Sequence, residues 1–229
     1  MQTCEQTLSI TDAILARKST RVFRPDPVPP ATIREVLNLA RSAPSWSNTQ
    51  PWEVAVITGR PLVAVKEALA AKFNAGAAHH PDTAWPRFPG RYHQRSRENG
   101  LRLFQVLGIS RDDVDKKHSY NLAMQQFFDA PVGMVFYLDA ELGPWSILDL
   151  GIFIQTILLA ATGHGLGTCT MAMVGGYPDV LRELLGIPTT KRIFCGLAMG
   201  YTDEGEEVNQ FRSHRVPLDE FVLWCGDEG

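Results

Sequence analysis

"PSWSNTQPWEVAVIT", Pro44–Thr58, joins a polar loop to an apolar run. The loop sets two serines, an asparagine, a threonine and a glutamine between Pro44 and Pro51, with Trp46 and Trp52 beside them. The prolines exclude helix, so the chain must turn here. The residues that follow, "WEVAVITG", read as a buried strand. An ordinary turn with two tryptophans in the core accounts for the loop only in part. It leaves the dense hydrogen-bonding capacity unexplained.

Upstream, "ATIREVLNLARSA" carries Ile33, Val36, Leu37 and Ala40 at helical spacing. Before it, "STRVFRPDPVPP" is extended, because its prolines forbid helix. "SITDAILARK" reads as a short helix capped by Ser9 or Thr11. Downstream, "PLVAVKEALAAKF" is another helix. From Asn74 to Lys117 the pattern weakens into an irregular excursion with a helix at its end. A helical stretch beginning at "YNLAMQQFF", a strand "VGMVFYLD" and an apolar helix from about Ser146 to Thr162 follow. "LGTCTMAMV", a short helix "YPDVLRELLG", a strand "RIFCGLAMGY" and a tail over 208–229 with a strand-like end complete the chain. Strands and helices are interspersed without βαβ alternation, which predicts a mixed α+β fold.

The chain has 229 residues, suited to one large domain or two small ones. A net charge of -3 argues against nucleic acid or an anionic membrane as the main partner. Cys4, Cys169, Cys195 and Cys225 lie far apart and no histidine set joins them, so no metal site is expected. Free thiols suit a reducing compartment, and the acidic N-terminus is unlike a signal peptide. The most apolar segment is interrupted by Asp149 and Gln155 and reads as a buried helix. A cytoplasmic protein is predicted.

"GHGLG", Gly163–Gly167, follows a helix and leads into a strand, the reverse of a dinucleotide fingerprint, so it reads as a helix end. His79 and His80 read as a solvated turn. "ARKSTRVF" is more informative. If the segment is extended, Arg17, Ser19 and Arg21 point to one side. Two guanidinium forks beside a hydroxyl suit a phosphate dianion. Spacing alone leaves a solvated basic stretch slightly ahead, and Arg212 and Arg215 in "FRSHRVP" read alone as surface charges.

Taken together and in this order, "RKSTR", "PSWSNTQPW" and "RVPLDEFV" resemble the nitroreductase family of FMN flavoproteins over nearly the whole chain. The chain is most similar to the nitrobenzoate and nitrobenzene reductases of that family. The resemblance implies a single domain over 1–229, with a mainly antiparallel sheet wrapped by helices and a variable lid at about 74–117. It implies a homodimer in which each tail, from about 208, gives a strand to its partner. Arg17, Lys18, Ser19, Thr20 and Arg21 match the segment that holds the FMN phosphate and the pyrimidine edge, and Arg215 matches the C-terminal phosphate ligand. Pro44, Ser45, Trp46 and Asn48 match the segment that reaches FMN from the partner subunit, which answers the question the loop poses. Thr170, Met171 and Ala172 match the strand end near the flavin ring.

The implied activity is ping-pong reduction of nitroaromatic compounds to hydroxylamines, with NADH or NADPH reducing the flavin and no catalytic side chain required. Phe88, Tyr92 and Arg95 are the substrate candidates within the lid, against a bland account in which the lid arginines form a solvated face. Two other functions remain open. One is reductive dehalogenation of the iodotyrosine type, which uses a lid glutamate with a tyrosine four residues later; no glutamate here has one. The other is a non-enzymatic flavin-binding protein.

Overall fold

The computed structural model describes residues 8–226. The helices are α1 (Ile10–Ala16), α2 (Pro30–Ala40), α3 (Gly59–Asn74), α4 (Gly90–Val106), α5 (Val114–Gln125), α6 (Pro144–Gly163), α7 (Pro178–Leu185) and α8 (Glu207–Gln210). The strands are β1 (Glu53–Thr58), β2 (Val132–Asp139), β3 (Gly167–Met171) and β4 (Lys191–Gly200). They form one antiparallel sheet in the order β1-β2-β4-β3.

Side chains alternate across a strand, so the central β2 feeds two cores. Val132, Met134, Phe136 and Leu138 pack with Ile33 and Val36 of α2 and Phe153 and Ile157 of α6. Val135 faces the other way, toward Leu62, Val65 and Leu69 of α3 and Leu181 of α7. The sheet is therefore a middle layer between two layers of helix, the mixed α+β architecture the pattern predicts.

The run "EVAVIT" proves to be an edge strand rather than a buried one. In β1 only Ile57 is buried, and Val56 is 40% exposed. Composition did not separate edge from centre, because β1 is as apolar a run as the central β2 and β4, which have neighbours on both sides. The opposite edge is covered by the chain itself. The extended segment after α1 bridges Ser19 to Thr168 in parallel, and Thr20 N donates to Thr168 O at 2.9 Å.

Other expectations are adjusted by the structure. The excursion after α3 is more helical than expected: α4 runs 17 residues, and α5 starts at Val114, capped by Asp113, rather than at Tyr120. Helix α4 buries only Leu103, and its scarcity of apolar residues conceals the helix in sequence. Helix α6 buries Asp149, Leu150, Phe153, Ile157 and Ala161 and leaves Trp145 and Leu148 exposed, so one face rather than the whole helix is covered. "GHGLG" does end α6: Gly165 takes φ +69°, and Leu166 N closes the turn onto Ala161 O. The tail forms a single 3-10 turn at Leu218–Glu220 and no strand among its described residues. A strand needs an edge to pair with, and the described residues of the tail pair with none. Leu218, Phe221, Leu223 and Trp224 are left exposed.

Candidate functional site

A depression of about 360 Å³ lies outside the β3 edge. Arg17, Lys18, Ser19 and Arg21 line one wall, and Phe211, Arg212, Ser213 and Arg215 line the other. The first wall is extended because the chain bridges to β3 there, which sends Ser19 and Arg21 to the same side. The second wall arrives from the far end of the sequence. Arg212 Nη1 donates to Ala16 O and Arg17 O, both at 3.0 Å, and so covers the free carbonyls at the end of α1. Arg212 is thus more than a surface charge, whereas Arg215 lines the depression but stays exposed and donates only to Ser213 O and His214 O.

The site is short of negative charge. Arg17 is held below the ordinary guanidinium value, first by burial and then by the like charges of Arg215 and Arg212. Arg21 is braced by Tyr120, whose hydroxyl accepts from Nε at 3.1 Å, and by Ser19 O at 3.2 Å from Nη1. The nearby carboxylate of Glu204 pairs instead with Lys18 at 2.8 Å. Crowded guanidiniums beside a serine hydroxyl make a donor set that a phosphate monoester satisfies.

Not every residue of the motif faces this site. Thr20 is fully buried on the opposite side of the segment, with its hydroxyl 3.2 Å from that of Thr202. Gly167 leaves no room for a Cβ beside those two hydroxyls. Successive side chains of an extended segment alternate, so Ser19 and Arg21 cannot share a face with Thr20. At the end of β3, Thr170 and Ala172 are exposed while the Met171 side chain lies in the core. Met171 is buried, so its side chain faces no ligand at that edge.

The polar loop is elsewhere. None of Pro44, Ser45, Trp46 and Asn48 lines the arginine depression of its own chain. The loop makes a 3-10 turn at Trp46–Asn48, with Ser47, Asn48 and Gln50 at positive φ. Hydrogen bonds to side chains hold this uncommon backbone. Gln50 N donates to Ser45 Oγ at 2.9 Å, and Trp46 N donates to both carboxylate oxygens of Asp149, at 3.3 and 3.2 Å. Trp52 stacks flat on Phe153 at 4.7 Å, as a core tryptophan should. Trp46 instead is 60% exposed and rests against Trp145, so the turn frames an outward-facing surface. Asp149 stands out in sequence only as an interruption in an apolar helix; its partner in the loop lies 103 residues away.

The family model described as "Nitroreductase family" matches residues 14–201. This chain belongs to the nitroreductase family. Among members of the family, the 4-nitrobenzoate reductase of Pseudomonas putida is 35% identical over 94% of this chain and 95% of its own length. The nitrobenzene nitroreductase of Ectopseudomonas oleovorans is 35% identical over 94% and 96%. The crystal structure of the FMN-dependent nitroreductase NfnB from Mycobacterium smegmatis in complex with NADPH superimposes with a TM-score of 0.91 at 34% identity, covering 94% of this chain and 97% of that one. An iodotyrosine deiodinase of Daphnia pulex is more distant, 24% identical over 90% of this chain and 63% of its own length.

The substrate candidates lie in the 74–117 segment. Phe88 and Tyr92 are exposed at the start of α4. Arg95 is not free: its Nη2 lies 2.6 Å from Glu220 Oε2 in the tail, and its guanidinium sits 5.9 Å from the Tyr92 ring centre. With Asn99, Arg102 and Arg215 it lines a second polar depression of about 280 Å³. Arg215 is common to both depressions. His79 is not solvated as expected. It stacks on Tyr177 at 4.6 Å and packs over Gly176, and burial lowers its pKa ahead of the influence of His80.

Proposed function

We propose that this chain is an FMN-dependent NAD(P)H oxidoreductase that reduces nitroaromatic compounds. The observation that carries the reading is the arginine depression: among the described residues, Arg17, Arg21, Arg212 and Arg215 have no carboxylate partner. The residues fit a flavin phosphate: Arg17, Ser19, Arg21 and Arg215 face the depression, and Arg212 fastens its two walls together. Bound FMN supplies the transfer of two electrons from NADH or NADPH to a nitro group. The protein's own part is to bind, orient and shield. The guanidiniums fix the phosphate end, and the exposed edge at Thr170–Ala172 lies farther along the strand that Ser19 bridges. No side-chain acid or base is assigned.

The reading includes a homodimer. Among the described residues, the Pro44–Asn48 loop lies away from the arginine depression, the Trp145 face of α6 is exposed and the β1 edge is unpaired. An apolar groove of about 780 Å³ runs beside β1, lined by Val28, Ile33, Leu37, Val56, Leu62 and Val63. The tail of a second copy is its occupant in this reading, because Phe221, Leu223 and Trp224 have no cover of their own. Chain between α3 and α5 serves as the lid, with Phe88 and Tyr92 placed to stack on a flat acceptor.

Stopped-flow reoxidation of the NAD(P)H-reduced protein with nitroarenes, quinones and halotyrosines tests the activity. Fast turnover with nitroarenes supports it. Flavin that NAD(P)H leaves oxidised, or preferential reaction with halotyrosines, would replace it with flavin storage or dehalogenation.

A further inference from the structure

We infer that Asn209 is a positioning residue for the phosphate end of the flavin: its one amide sets the spacing of the two walls that carry the arginines. The inference rests on the FMN reading above.

Asn209 is fully buried in α8, two residues before Phe211 and three before Arg212. Its Oδ1 accepts from Arg21 N at 2.8 Å and from Val22 N at 3.2 Å. Its Nδ2 donates to Val22 O at 2.7 Å and to Asp203 O at 2.8 Å. Both donors and both acceptor positions are therefore used. The backbone partners also fix which way the amide points, since a flip would set N–H against N–H and oxygen against oxygen. Three pieces of chain meet at this side chain. One is the extended segment bearing Ser19 and Arg21. The second is the turn after β4, whose Glu204 occupies Lys18. The third is the start of the tail that carries Arg212 and Arg215. An apolar residue of similar size would fill the space but leave Arg21 N and Val22 N buried without an acceptor.

A residue that only supports the fold and a residue that aligns the arginines differ in one measurement. Riboflavin has the flavin ring without the phosphate. In the full-length protein freed of flavin, affinities for FMN and riboflavin are read by quenching of flavin fluorescence. Asn209→Ala is expected to weaken FMN about tenfold or more and riboflavin less than about twofold. Asn209→Ser, which keeps one hydroxyl acceptor, should lower the FMN-to-riboflavin ratio by a smaller factor and serves if the alanine variant folds poorly. In an Arg21→Ala background, Asn209→Ala should change the ratio little further, because the two act in series. Equal loss of both flavins in the variants, or an unchanged ratio, overturns the inference. A parent protein that does not prefer FMN to riboflavin overturns the FMN reading itself, and this inference with it.

Discussion

The two edges of the sheet are finished differently. Beside β3 the chain returns on itself: residues 17–21 bridge to Thr168, and the segment from Asn209 to Arg215 closes over them. That edge is bridged at Thr168 within one chain and concentrates positive charge. Beside β1 no described segment pairs with the outer side of the strand. The strand is half-exposed, the groove next to it is apolar, and the side chains that would suit it sit uncovered on the tail. The ligand edge is organised by charge and hydrogen bonds, the open edge by apolar area. Substitutions should therefore fail in different ways on the two sides.

The largest effect is expected at the open edge. Removing residues 221–229 deletes Phe221, Val222, Leu223 and Trp224. Each large apolar side chain contributes about 1.5–3 kcal/mol on burial. Dimer dissociation should then rise by more than about a thousandfold. Sedimentation equilibrium reads it directly, and an undisturbed dimer would mean that something else covers the groove.

At the closed edge the expected losses are smaller and confined to the cofactor. Arg17→Ala and Arg215→Ala should each weaken FMN about tenfold or more, from roughly 1.5–3 kcal/mol per charged hydrogen bond. Fluorescence titration checks this, and the dimer should persist in both variants. Loss of the dimer alongside FMN would show that the two edges are not independent.

Asp149→Ala tests the loop that belongs to the open side. Leaving Trp46 N without its acceptor costs about 1–3 kcal/mol. A chain of this size loses about 2–4 °C of Tm per kcal/mol. Asp149→Asn, which still accepts one hydrogen bond, should lose less. If calorimetry finds both equal to the parent, Asp149 does not hold the turn.

The smallest effect is expected for Arg95→Ala. Its pair with Glu220 is exposed on both sides, and such pairs contribute about 0–1 kcal/mol. The ratios of kcat/KM for NADPH over NADH, and for 4-nitrobenzoate over nitrobenzene, should stay within about fivefold. A selective loss with the charged member of either pair would make Arg95 a ligand rather than a tie to the tail.

Much of this was legible in the amino-acid order. The helical spacing of Ile33, Val36 and Ala40, and the apolar run of β2, follow from local periodicity, which a sequence displays directly. Arg17, Ser19 and Arg21 share a face because alternation is a property of any extended chain. The same rule sends Thr20 the other way, and a motif read as a block conceals that.

What the sequence by itself determined is most of the elements outside the 74–117 excursion and the tail, the family and the charge gathered in the "RKSTR" and "FRSHRVP" segments. Tertiary structure alone decided which apolar strand lies at an edge, and which polar residues are structural. Asn209 and Asp149 carry no local signal, because each is buried only by virtue of backbone groups 188 and 103 residues away in the chain. A buried amide or carboxylate is stabilised by the donors and acceptors that face it, and those are brought there by the fold.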